Sequence, residues 1–155
     1  IIFGVLTATS QSVRINGRAL TRTRRSPEGI RYLPQANFSP PFLTVKRLIK
    51  DFEVSFDDLL SSFPELAEHY NSRMGELSSG QRRIIELFAI LTCRSKFCLL
   101  DEPFSQIMPL HVEAIKALMQ REKNNKGILL TDHIYRQLTE VCDQLYVLKN
   151  GKTFL

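Results

Sequence analysis

Two short runs of residues place chemically useful groups at the ends of predicted elements. The first has two hydroxyls and a glycine where a helix should begin: Leu77-Ser78-Ser79-Gly80-Gln81. The second is an apolar run that ends in two adjacent carboxylates, Asp101 and Glu102, before Pro103. A helix start has unpaired N–H groups and a positive dipole end, so the first run could bind an anion. The second could hold a hard cation or act as a base.

The elements around these runs predict an α/β fold with a parallel sheet. Apolar strands are expected before Asp101 and over 128–133, and a largely buried helix is expected over 82–92. Because strands alternate with helices, the sheet should be parallel, and ligands bind at the carboxyl ends of such strands. Further elements are expected as strands over 13–15 and 29–33, helices over 111–122 and 135–142, and a hairpin around Asn150-Gly151.

The middle of the chain has a different pattern. After Pro40-Pro41, the apolar residues Val45, Leu48, Ile49 and Phe52 recur at helical spacing. We therefore expect an all-helical insert between two sheet-forming parts. The predicted division is 1–35 for the first core part, 36–76 for the helical insert and 77–155 for the second core part.

Composition narrows the class of protein. The 155 residues are 43% hydrophobic and carry a net charge of +5, as expected for one soluble domain. The basic residues are scattered without interleaved aromatics, so no nucleic-acid partner is expected. Three cysteines without metal-type spacing indicate a reducing cytoplasm. No apolar run approaches 18 residues, so no membrane span is expected.

Taken together, the motifs resemble those of the ATP-binding-cassette (ABC) ATPases. Ser78-Ser79-Gly80-Gln81 resembles the family's signature, and the strand ending in Asp101-Glu102 resembles its Walker B strand. Gln35, just before the helical insert, resembles the Q-loop glutamine. His133, at the end of the next apolar strand, resembles the switch histidine. The resemblance implies a P-loop NTPase-like fold with a helical subdomain.

The resemblance also implies a role for each residue. Asp101 would hold Mg²⁺, and the amide of Gln35 would contact Mg²⁺ or the attacking water. Glu102 would act as the general base, and His133 would bond the γ-phosphate of ATP. The γ-phosphate held by an opposite subunit would be bound by the signature residues Ser78, Ser79, Gly80 and Gln81.

The sequence departs from the family pattern in three places. Ser79 replaces the usual first glycine of the signature, and Met108 replaces the aspartate of the D-loop, Ser105-Gln106-Ile107-Met108. No Gly-x-x-x-x-Gly-Lys-Ser/Thr loop occurs among the 155 residues. By the resemblance, that loop would lie a few residues before Ile1, so both ends look like cuts through a larger domain.

The leading interpretation is the ATP-binding subunit of an ABC transporter, using ATP and Mg²⁺. It would pair with a second ABC ATPase domain and with a transmembrane subunit, on the cytoplasmic side of the inner or plasma membrane. Without the phosphate loop, this chain should be inactive alone. Two alternatives stay open: a soluble ABC-type ATPase of translation or DNA repair, and a regulatory pseudo-ATPase. His69 and His111 are expected to be solvated residues of helix surfaces.

Overall fold

The fold is built around a parallel sheet. The computed structural model describes residues 12–19 and 29–154. In these ranges the sheet has three strands in the order β3 (Ile30–Leu33), β4 (Phe97–Asp101) and β5 (Gly127–Thr131). The predicted parallel sheet is therefore confirmed, and the strand that leads into the two carboxylates lies at its centre in the described ranges.

The register of the sheet brings the ends of all three strands together. Leu33 pairs with Leu100 between β3 and β4, and Asp101 pairs with Thr131 between β4 and β5. Since the strands are parallel, their carboxyl ends meet at one edge. The residues that follow each strand can therefore converge there.

Helices cover the sheet and fill the segment between β3 and β4. In the described part of the chain, the α-helices are α1 (Val45–Asp51), α2 (Phe56–Ser62), α3 (Ser79–Thr92), α4 (Pro109–Glu122) and α5 (Tyr135–Val141). Two 3₁₀ helices, Pro64–His69 and Met74–Glu76, complete the helical segment before α3. No helix in the described ranges is long and apolar enough to cross a membrane.

Helix α3 is the main core element. Its residues from Arg83 to Leu91 are all buried, which agrees with the predicted buried helix. It packs against β3 on one side and against α1 and α4 on others. The buried apolar side chains of α3 join the sheet and the helical segment in one hydrophobic cluster. The helix that begins at the signature is thus anchored on both parts of the fold.

Polar contacts connect α4 to the helical segment. Arg121 on α4 forms a bidentate ion pair with Asp58 on α2, at 3.0 and 2.9 Å. His111 lies 3.4 Å from Glu65 and packs edge-on against the ring of Phe63. The expectation of a solvated His111 is wrong, because this packing leaves its side chain only 15% exposed.

Two hairpins close at Asn-Gly pairs, as their sequences predict. β1 (Arg14–Ile15) and β2 (Arg18–Ala19) are antiparallel, as are β6 (Val147–Lys149) and β7 (Lys152–Phe154). Both residues of each Asn-Gly turn have positive φ, the backbone of a type I′ turn, which Asn and Gly adopt at low cost. The segment that begins at Ile1, which the resemblance places a few residues after the phosphate loop, lies outside the described residues.

A buried lysine closes the end of α3. Lys126 Nζ donates to the carbonyls of Leu91 and Cys93 at 2.5 and 2.6 Å, and lies 3.8 Å from a carboxylate oxygen of Glu122. Carbonyls at the end of a helix lack intrahelical partners, and a cation there also interacts favourably with the helix dipole. We expect Lys126→Met to lower the free energy of unfolding by about 3 kcal/mol, since it leaves these acceptors unpaired in the interior.

Urea unfolding followed by circular dichroism measures this loss. Lys149→Met is the control, because Lys149 is exposed on β6 and should change stability by no more than about 0.5 kcal/mol. Equal midpoints for the two variants would contradict the assigned role of Lys126.

Candidate functional site

The ends of β3, β4 and β5 bring three of the predicted site residues together. Gln35 Nε2 donates to Glu102 Oε2 at 2.9 Å. His133 Nδ1 lies 3.8 Å from the same carboxylate oxygen, and the histidine side chain is 69% exposed. The predicted catalytic carboxylate therefore lies close to both the predicted Q-loop amide and the predicted switch histidine.

Asp101 lies beside this group in a network of its own. Its Oδ1 accepts a hydrogen bond from Thr131 Oγ1 at 2.8 Å, and its Oδ2 accepts one from the Tyr32 hydroxyl at 3.0 Å. Burial, followed by this hydrogen bond, raises the pKa of the Tyr32 hydroxyl, which therefore stays a donor at neutral pH. Each carboxylate oxygen has a second lone pair that could bind a cation.

The backbone turns sharply at Glu102. Its φ is +47°, in the left-handed region that non-glycine residues seldom adopt. Such a conformation costs about 1 kcal/mol or more and persists only where neighbouring contacts hold it. One such contact is the N–H of Glu102, which donates to the carbonyl of Thr131 at 2.8 Å. The strand thus ends here, and the carboxylate side chain leaves the line of β4.

A buried arginine, which sequence reasoning missed, supplies further contacts. Arg83 on α3 is fully buried. Its Nη1 donates to the carbonyl of Pro34 at 2.6 Å, and its Nη2 donates to those of Asp101 and Glu102 at 2.9 and 3.0 Å. Burial lowers the pKa of the Arg83 guanidinium from its usual value, while nearby carboxylates, first that of Glu86, favour the charged form.

Asp132 holds the segment that carries His133. Its Oδ1 accepts from the N–H of Ile134 at 2.9 Å, and its Oδ2 accepts from the N–H of Phe104 at 3.3 Å. These bonds join the chain after β5 to the chain after β4. The predicted switch histidine is therefore placed by the carboxylate next to it in sequence.

The predicted signature residues form the start of α3. Ser78 Oγ accepts from the N–H of Gln81 at 3.2 Å, and Gln81 Oε1 accepts from the N–H of Ser78 at 3.0 Å. This capping box leaves the hydroxyl proton of Ser78 and the N–H groups of Ser79 and Gly80 without helical partners. A Cβ on Gly80 would lie 3.0 Å from the carbonyl oxygen of Gln106, so a larger residue here would push the backbone of the predicted D-loop away by a few tenths of an ångström.

His69 contacts this signature turn. Its Nε2 lies 3.0 Å from Gln81 Nε2, and its Nδ1 lies 3.5 Å from Ser72 Oγ. The expectation of a solvated His69 is therefore wrong: its side chain is 20% exposed and hydrogen-bonded to the glutamine of the capping box. The nearby polar side chains of Ser72 and Gln81 are on other elements, so helical spacing could not reveal this contact.

A second buried network joins α3 to the chain that enters the helical segment. The carboxylate of the fully buried Glu86 accepts from the N–H groups of Phe38 and Ser39, at 3.3 and 3.0 Å, and from the Ser39 hydroxyl. Arg82 Nε lies 3.3 Å from the same carboxylate and donates to the Ser39 carbonyl through Nη2. Sequence reasoning also missed this network; the available signal was charged residues inside a helix predicted to be buried.

The site can be compared with what Mg²⁺ requires. Within residues 12–19 and 29–154, no group of three or more His, Cys, Asp and Glu side chains is arranged to hold a metal. Mg²⁺ usually takes one or two carboxylates and completes its shell with phosphate oxygens and water. The carboxylate of Asp101 fits that pattern, with the amide oxygen of Gln35 as a further donor.

The fold matches that of ABC ATPases. A solved structure described as an ATP-binding subunit of an ABC transporter superposes with a TM-score of 0.81 at 24% identity, covering 98% of this chain and 68% of that one. A structure described as RNase-L inhibitor gives a TM-score of 0.73 at 24% identity, covering 97% of this chain and 29% of that one. The chain therefore has the α/β fold that the motifs predict.

Sequence comparisons lead to the family. The lipopolysaccharide export system ATP-binding protein LptB of Haemophilus influenzae is 31% identical, covering 98% of this chain and 69% of that protein. The probable branched-chain amino acid transport ATP-binding protein LivF of Archaeoglobus fulgidus is 30% identical, covering 97% and 70%. The sequence model of the ABC transporter family matches residues 1–105, which include Gln35, the signature and both carboxylates. This chain belongs to the ABC transporter family.

Proposed function

We propose that this chain is the ATP-binding part of an ABC transporter, in which ATP binding and hydrolysis drive transport through a transmembrane subunit. The observation that carries the proposal is the hydrogen bond from Gln35 to Glu102, 2.9 Å long, beside Asp101 at the carboxyl edge of the sheet. The names of LptB and LivF, ATP-binding proteins of transport systems, support the same function.

In the proposed reaction, each residue at the sheet edge has one task. Asp101 would hold Mg²⁺, with the amide oxygen of Gln35 as a second contact, and the ion would neutralise charge on the phosphates. Glu102 accepts a proton from the attacking water, and the amide of Gln35 keeps this carboxylate in place. His133, 3.8 Å from Glu102, would hydrogen-bond the terminal phosphate of ATP.

The signature residues act on a second nucleotide. The hydroxyl of Ser78 and the N–H groups of Ser79 and Gly80 are free to bind a phosphate at the start of α3. Gln81 holds this turn through the capping box. We propose that they bind the γ-phosphate of ATP held by a second ABC ATPase domain. The chain would then work as one half of a dimer, at the cytoplasmic face of a membrane through its transmembrane partner.

The test uses Mn²⁺ in place of Mg²⁺, because Mn²⁺ broadens nearby NMR resonances. Titration of the ¹⁵N-labelled chain with millimolar Mn²⁺-ATP should broaden the amide signals of Asp101, Glu102 and Gln35. Asp101→Asn should reduce this broadening at least tenfold, since it removes the charged oxygen ligand. Asp51→Asn, on the exposed surface of α1, is the matched control and should leave the broadening unchanged.

The outcomes separate the alternatives. Broadening that survives Asp101→Asn, or that appears equally with Mn²⁺ alone at Asp51, would contradict the proposed site. No effect of Mn²⁺-ATP at any resonance would contradict nucleotide binding by these residues alone.

A further inference from the structure

The hydrogen bonds of Arg83 complete a closed ring of contacts that includes the proposed general base, Glu102. Arg83 Nη1 binds the carbonyl of Pro34, the residue before Gln35, and Gln35 Nε2 binds the carboxylate of Glu102. The backbone carbonyl of Glu102 returns to Arg83 Nη2 at 3.0 Å. One buried guanidinium thus holds the main chain at both ends of the hydrogen bond between Gln35 and Glu102.

The geometry of this ring requires a planar fork of donors. Three carbonyl oxygens, from Pro34, Asp101 and Glu102, point at one fully buried side chain. Their partial negative charges would repel one another without a cation between them. The guanidinium divides its contacts between two nitrogens, one facing Pro34 and the other facing the end of β4. A lysine has one compact ammonium group and cannot reproduce this division.

The hydrogen bond from Arg83 to the carbonyl of Glu102 also holds a residue whose backbone is strained. Glu102 has a φ of +47°, and its carbonyl is one of the three bound by Arg83. Without that bond, the residue could relax toward ordinary strand or helical geometry, which would move its carboxylate away from Gln35. The position of the base therefore depends on a side chain from α3.

We infer that Arg83 is the positioning residue that holds Glu102 and Gln35 in register and ties them to the signature helix. Arg83 lies in the first turns of α3, close after Ser78 and Gly80, so any shift of that helix start moves the guanidinium and its carbonyls together. The catalytic meaning of this link rests on the proposed function. In the proposed dimer, the signature and the base of one chain act on different nucleotides. Phosphate binding at this chain's signature would therefore shift the position of the base at this chain's own nucleotide.

The primary test measures geometry without nucleotide, so it does not depend on ATP binding. In the ¹⁵N-labelled chain, hydrogen exchange of the Gln35 side-chain amide should be slowed by its bond to Glu102. Arg83→Lys should speed this exchange at least tenfold while the protein stays folded by circular dichroism. Arg82→Lys is the matched control: it lies next along α3 but binds Ser39 and Glu86 instead. It should change the exchange by less than twofold.

A second measurement on the unaltered chain covers the case in which the lysine variant does not fold. The Nη–H protons of Arg83 should give separate, slowly exchanging signals with through-bond couplings to the carbonyl carbons of Pro34, Asp101 and Glu102. Averaged Nη signals without such couplings would overturn the inference. So would a folded Arg83→Lys variant in which Gln35 exchange is unchanged. Failure of Mn²⁺-ATP binding with these signals present would count only against the proposed function.

Discussion

Glu86→Ala is expected to lower the free energy of unfolding by about 4 kcal/mol, a large share of the total stability of a small domain. Glu86 is fully buried and accepts hydrogen bonds from Phe38 N–H, Ser39 N–H and the Ser39 hydroxyl. Its removal would leave these donors unpaired and would leave Arg82 without the opposite charge 3.3 Å away. With a typical urea dependence of about 2 kcal/mol per M, the unfolding midpoint should fall by about 2 M.

The matched control is Glu113→Ala on α4. Glu113 also pairs with a basic side chain, Lys116 at 2.8 Å, but it is 79% exposed. Exposed pairs contribute little, so this variant should change stability by no more than about 0.5 kcal/mol. A loss for Glu86→Ala as small as that for Glu113→Ala would show that the network adds no net stability.

The second large effect concerns turnover. The purified 155-residue chain is expected to hydrolyse Mg-ATP at least about 1,000-fold more slowly than the roughly 10 s⁻¹ typical of enzymes. Phosphoryl transfer is catalysed mainly by groups that position the phosphates and neutralise their charge, and these residues include no Gly-x-x-x-x-Gly-Lys-Ser/Thr loop. The proposed base, Glu102, can supply only part of the acceleration, about 10²- to 10⁴-fold for a positioned base.

A coupled phosphate-release assay measures this rate, with Glu102→Gln as the control. Both proteins should give the same background signal, because the rate is limited by the lack of phosphate contacts and not by proton transfer to Glu102. Magnesium-dependent turnover that disappears in Glu102→Gln would contradict the expectation. It would mean that the residues present assemble a working site, within one chain or across two copies of it.

The sheet is largely predictable from sequence because its central strands are continuous apolar runs. The observed ends of some elements differ from the predicted ones where local polar contacts end or extend the element. β5 ends at Thr131 and not at His133, because Asp132 turns back to bind the N–H groups of Phe104 and Ile134. α3 begins at Ser79, before the predicted residue 82, because the capping box of Ser78 adds the first turn.

The buried polar side chains of α3 are not predictable in the same way. Arg83 and Glu86 bind main-chain groups of Pro34 and Ser39, which are 49 and 47 residues away in sequence. Main-chain donors and acceptors occur at every residue, so the sequence pattern does not show which of them a charged side chain will reach. His69 escapes prediction for a different reason, since its partner is the Gln81 side chain, which lies 12 residues further along the chain on another element.

At Glu102, the residue type that best suits the left-handed backbone differs from the residue type that the proposed chemistry needs. Glycine or asparagine would adopt a φ of +47° more readily than glutamate, so either substitution would favour the folded chain while deleting the carboxylate. Sequences selected only to fold would therefore drift away from an acid here. An acidic residue conserved at this turn would therefore indicate selection for activity. A homologue without it would be one in which activity is no longer selected.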